Sequence, residues 1–162
     1  ALRDGLLSTA STLDRTAGGP AVDIVGAPFS GRRTVYGFID RQNLPGLFRT
    51  FDFASPDATS PQRYNTTVPQ QALFLMNSPF LLTQAKALVR QADVSDATTA
   101  AERIQRLYRR VYARTAEPAE VELGLRFLEA ARAEDGPAAP ALGAWERYAQ
   151  VLLLANEFAF VD

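Results

Sequence analysis

The residues with the most chemistry at stake lie between Phe51 and Phe80. Asp52, Asp57 and Arg63 set two carboxylates and a guanidinium just upstream of a helix start at Thr67. A cation there could hold an anionic ligand, because the backbone N–H groups of a helix N-terminus favour negative charge. Two carboxylates could also divide acid–base work between them. The plainer reading is an ion pair that pins the loop, and Arg63 is expected to be buried against Asp52 or Asp57. Thr67-Val68-Pro69-Gln70 fits a capping box, with the Thr67 hydroxyl and the Gln70 side chain satisfying each other's backbone N–H groups. Thr66 belongs to the same cap, and Asn77 suits a left-handed helix end. Tyr36 and Tyr64 are the aromatic residues best placed for an exposed contact. Trp145 could stack on a sugar, but its spacing with Leu142, Ala149 and Leu152 puts it in a core.

The composition closes off much other chemistry. The 162 residues contain neither histidine nor cysteine. That removes thiolate nucleophiles, disulfides, imidazole bases, serine triads, Cys/His zinc sites and covalent haem attachment within this chain. No metal or haem site is expected here. Carboxylate-only sites for hard cations stay open, although no calcium-loop spacing occurs and no glycine-rich phosphate loop or dinucleotide fingerprint is present. The net charge of −1 gives no overall attraction to nucleic acid or an anionic membrane. No apolar run reaches the roughly 18 residues of a spanning helix. Arg103, Arg106, Arg110 and Arg114 repeat along one helical face and could form a nucleic-acid stripe. The next helix is acidic and no aromatic residues interleave on the same face, so a solvated or internally paired face is the reading adopted, and no nucleic-acid partner is expected.

These residues need elements to hold them. Leu2, Leu6 and Leu7 read as the end of a helix begun earlier, so the chain is expected to be the C-terminal fragment of a larger protein. Residues 1–50 are loop-rich, with Gly18, Gly19, Pro20, Gly26 and Pro28 marking a surface crossing. Residues 32–40 favour a strand, a short helix or an extended segment about equally. Helices are expected at 44–51, 69–76, 79–91, 100–113, 118–133 and 141–156, with a linker over 93–98. Ile104, Leu107, Tyr108, Val111 and Tyr112 give the cleanest amphipathic pattern. Val121, Leu125 and Leu128 mark the inner face of the next helix, and Val151-Leu152-Leu153-Leu154 makes the last one central. The fold class expected is mainly α: one compact domain of five or six helices, long Gly/Pro-rich loops and at most one short strand. Within it, 51–92 is a hub of loop and helices, and 99–162 a three-helix core.

A family resemblance rests on particular residues. They are Arg33-Thr34-Val35-Tyr36, Phe51-Asp52, Pro56-Asp57, Arg63, Thr66-Thr67, Pro69-Gln70-Gln71-Ala72-Leu73, Leu75-Met76-Asn77 and Pro79-Phe80. Ala113-Arg114-Thr115 ahead of Glu117-Pro118, and Asn156-Glu157-Phe158 with Val161-Asp162, extend the match. Together they resemble a planctomycete-specific C-terminal domain of unknown function found in large proteins that often carry cytochrome-c-type domains upstream. The resemblance implies a helical module of an exported protein at the periplasm or cell envelope. Haem c would sit in upstream domains, and partners would be those domains, with a polysaccharide or redox partner beyond them. It supplies no catalytic residue. The family's hub often has a cysteine about three residues before the arginine, where this chain has Ser60. A non-catalytic accessory or interaction module is therefore expected, the alternative being an enzyme or glycan-binding domain with its site at 52–77.

Overall fold

The computed structural model describes residues 2–40, 42–44, 46–51, 69–133 and 142–159. It is mainly helical, as the periodicity indicates, and no strand occurs among the described residues. The helices are α1 (Leu2–Thr9), α2 (Gly46–Thr50), α3 (Pro69–Met76), α4 (Pro79–Val89), α5 (Ala92–Ser95), α6 (Ala100–Tyr112), α7 (Pro118–Ala133), α8 (Ala144–Leu154) and α9 (Asn156–Ala159). They fall into two compact units, one formed by Ala1–Thr12 with Pro79–Asp162 and the other by Leu13–Ser78.

The first unit carries most of the core. Leu81, Ala85 and Leu88 of α4 are fully buried, and α4 packs most extensively on α8, where Ala149, Leu152 and Leu153 face inward. α6 contributes Ile104 and Leu107 and packs on α7. The helix α8 is central, touching α4, α6, α7 and α9. Its run Val151-Leu152-Leu153-Leu154 is nonetheless not buried all round, since Val151 is 49% exposed.

Local chemistry sets the boundaries. The Thr99 hydroxyl accepts from the Glu102 backbone N–H at 3.1 Å and starts α6. Glu102 reaches back to the Thr98 N–H at 2.8 Å. At the other end Ala113 takes a left-handed conformation (φ 57°). α1 closes with Ser11 left-handed (φ 56°), its N–H donating to the Ser8 carbonyl and the Thr12 N–H donating to the Leu7 carbonyl. That is the paired-carbonyl ending usually given to glycine. The buried Gln84 carboxamide accepts from the Thr12 hydroxyl at 2.6 Å, and Gln91 donates to the Ala10 carbonyl, so α1 is tied to α4 and the turn after it.

Three expectations change. Residues 93–98 are not wholly linker, because Ala92–Ser95 form a helical turn that buries Val94. The inner face of α7 is Gly124, Leu128 and Ala131, with Val121 and Leu125 only half-buried, so the helix is rotated from the apolar stripe. Trp145 is half-buried, with the Arg103 guanidinium 4.4 Å over its ring. A cation shields that face from water, where a core position would be covered by apolar side chains.

In the second unit, residues 32–40 form a 3₁₀ turn at Thr34–Tyr36. Isolated parallel bridges join Asp14 to Arg32 and Val22 to Gly37, too few to extend into a ladder. α2 packs on α3, with Phe51 edge-on to Phe74 at 5.9 Å between ring centroids.

Candidate functional site

The charged face of α6 holds the densest cluster of functional groups. Its opposite face is buried through Ile104, Leu107, Tyr108 and Val111, which fixes the arginines outward. Most of them are internally paired, which decides between the solvated and the paired face that the sequence left open. Arg103 donates to the Val89 carbonyl at 2.8 Å. Arg106 donates to the Asp93 carbonyl at 3.0 Å and pairs with Glu102 one turn back. Arg110 donates to the Thr9 carbonyl at 2.7 Å, to Asp93 Oδ2 at 2.6 Å and to the Ser11 hydroxyl.

Arg114, just past the end of α6, clamps two acids. It donates to both oxygens of Glu120 at 2.8 and 2.7 Å, and to both oxygens of Glu157 at 2.6 and 2.8 Å. The same guanidinium lies 5.3 Å from the Tyr108 ring centroid and 5.6 Å from that of Tyr112. Tyr112 donates to the Leu152 carbonyl, and burial raises the Tyr108, Tyr112 and Tyr148 hydroxyls above their usual pKa, keeping them protonated. The Arg114 hydrogen bonds pull the Glu120 carboxyl down to about 2 and lower Glu157 as well. A folded-state pKa held below the unfolded one stabilises the fold above the unfolded value of about 4.3 and loses that contribution as pH falls toward the folded one. The clamp therefore works at neutral pH and fails between roughly pH 4.3 and 2. Arg114→Gln is expected to lower the melting temperature at pH 7 and to raise the Glu120 midpoint toward the ordinary carboxylate value. Carboxylate-detected NMR titration of both proteins measures this, and a Glu120 midpoint left near 2 would show that Arg114 is not what holds it down.

Between α5 and α6 lies an open concavity of about 460 Å³ lined by Asp93, Arg106, Arg109 and Arg110. Arg109 is exposed and has no hydrogen-bond or ion-pair partner among the described residues. Sequence reasoning passed over Arg109 because Arg106 and Arg110 already defined the stripe, and it treated Asp93 as linker. The adjacency of Arg109 to Arg110 was the available signal.

The expected hub is placed only in part. Asp52, Asp57, Arg63, Tyr64, Thr66 and Thr67 lie outside the described residues, so the Arg63 pair and the Thr67 cap do too. Gln70 lies in α3, with its side chain outside the description. Asn77 closes α3: its side-chain amide donates to the Leu73 carbonyl at 2.9 Å. It does so without a left-handed backbone, which among the described non-glycine residues belongs to Ser11 and Ala113. Tyr36 is half-buried beneath the Arg32 guanidinium at 4.4 Å, and its hydroxyl accepts from the Gly18 N–H at 2.9 Å. Gly18 is at φ +76°, a conformation that opens that N–H toward the tyrosine and suits glycine. Tyr36 thus anchors the 18–36 loop.

The second unit also presents large apolar side chains to solvent. Val35 is 72% exposed, Phe38 60%, Leu73 56% and Met76 53%. Among the described residues, no group of three or more acidic side chains stands close enough to hold a metal ion, and no helix is long and apolar enough to cross a membrane.

The chain is thus mainly helical, and among its described residues the arginines of α6 and Arg114 chiefly join elements of the first unit. The family described as PSD1, protein of unknown function (DUF1553), matches residues 1–128, and the chain belongs to it. No curated protein and no solved structure matches the chain.

Proposed function

We propose that this chain is a non-catalytic accessory module at the C-terminus of a larger exported polypeptide, and that it docks on upstream domains of that polypeptide. The observation that carries this reading is the apolar surface of the second unit at Val35, Phe38, Leu73 and Met76. Val35 and Phe38 lie three residues apart in one loop, Leu73 and Met76 three apart on α3, and large exposed apolar side chains of this kind serve interaction more often than catalysis. The resemblance to planctomycete-specific C-terminal domains supplies the remaining parts: cytochrome-c-type domains upstream, haem c held there, a place at the cell envelope, and a polysaccharide or redox partner for the whole.

The test uses the upstream domains produced separately and titrated with this chain by calorimetry. Saturable binding is expected, and Phe38→Ser combined with Leu73→Ser should weaken it by about tenfold or more, as for central interface side chains. Unchanged affinity in that double variant would remove the apolar face from the interface. No binding by the wild-type chain would sink the docking role.

A further inference from the structure

We propose that the concavity between α5 and α6 binds a dianionic tetrahedral group, the phosphate of a small phosphate monoester. Its lining sets three guanidinium groups against the Asp93 carboxylate, and with Glu102 counted as the partner of Arg106 a formal excess of one positive charge remains, carried by Arg109, where a phosphate oxygen would dock. The volume of about 460 Å³ falls within the range of small-molecule sites.

Two of the three cations are already held. Arg110 is fixed by the Thr9 carbonyl, Asp93 and the Ser11 hydroxyl, and Arg106 by Glu102 and the Asp93 carbonyl. Fixed guanidinium groups lose little side-chain freedom when an anion arrives. Arg109 differs, being exposed with no partner among the described residues to give up, so it can supply the planar donor fork that phosphate oxygens accept from. The division of labour is physical: Arg106 and Arg110 set the field while joining α1 and α5 to α6, and Arg109 makes the contact. A chain of net charge −1 does not attract a polyanion along its length, which leaves a small, locally bound ligand.

The absence of histidine and cysteine gives the idea a second signature. Side chains with ordinary pKa values between about 5.5 and 7.5 are then missing, whereas a phosphate monoester gains its second charge near pH 6. Affinity for such a ligand should rise across that interval because the ligand itself titrates.

Calorimetry at low ionic strength with inorganic phosphate, methyl phosphate and methyl sulfate tests the proposal. Saturable binding of both phosphates is expected, tighter at pH 7.5 than at 5.5, with methyl sulfate weaker at pH 7.5 because it stays monoanionic. Arg109→Ala should weaken phosphate binding about tenfold without moving the melting temperature, since Arg109 holds nothing in the fold. Arg126→Ala is the control: Arg126 is 67% exposed on α7, and its replacement should leave binding intact. Lack of saturable phosphate binding would overturn the proposal, as would affinity unchanged in Arg109→Ala or reduced equally in Arg126→Ala. Methyl sulfate binding as tightly as methyl phosphate at pH 7.5 would overturn the dianion assignment.

Discussion

Leu88→Ala is expected to destabilise the first unit by about 2–5 kcal/mol, the range for emptying a leucine-sized space in a packed core. Leu88 is fully buried on α4, the helix that packs most extensively on the central α8. A domain has only about 5–15 kcal/mol of net stability, so such a loss is a large share of the whole. Trp145, the lone tryptophan, lies on α8 and reports unfolding of this unit by fluorescence in urea. The midpoint should fall with little change in slope, and Val151→Ala, at a 49% exposed position on α8, should cost far less. A Leu88→Ala loss below that of Val151→Ala would mean that α4 and α8 do not form the core.

Gly124 gives the second large effect, from the opposite error. A Cβ added there would stand 2.5 Å from the Tyr148 hydroxyl oxygen, 2.9 Å from Ile104 Cδ1 and 3.0 Å from Tyr148 Cζ. The Tyr148 ring cannot easily swing aside: it is 5% exposed and lies against Phe127 at 5.6 Å and Trp145 at 6.3 Å between ring centroids. Alanine would gain about 1 kcal/mol of helix propensity over glycine, but overpacking costs about 1–3 kcal/mol. Gly124→Ala should therefore lie near neutral or cost up to about 2 kcal/mol, and Gly124→Val should cost about 3 kcal/mol or more. Tyr148→Phe removes the nearest atom, so a double-mutant cycle should show partial rescue of Gly124→Ala. Stabilisation of the protein by Gly124→Ala would contradict so tight an approach.

Sequence alone determined the helical class, the amphipathic face from Ile104 to Val111 and the Thr99 cap. These are local properties, written in a 3.6-residue period and in side chains that bond to backbone a few residues away. The absence of histidine and cysteine is likewise complete in the sequence. Tertiary structure decided the rest. Nothing in a linear pattern brings Arg114 to Glu157, 43 positions on, or shows that Asp93 rides a helical turn where it meets Arg110. Trp145 keeps helical spacing with the core residues around it, yet it ends beneath Arg103, because helix packing sets which edge of an apolar stripe is covered. Gly124 reads in sequence only as a weak point in a helix. Its reason exists solely in space, where the missing side chain lets α7 close on Tyr148 and Ile104, and periodicity carries no information about the distance between helices.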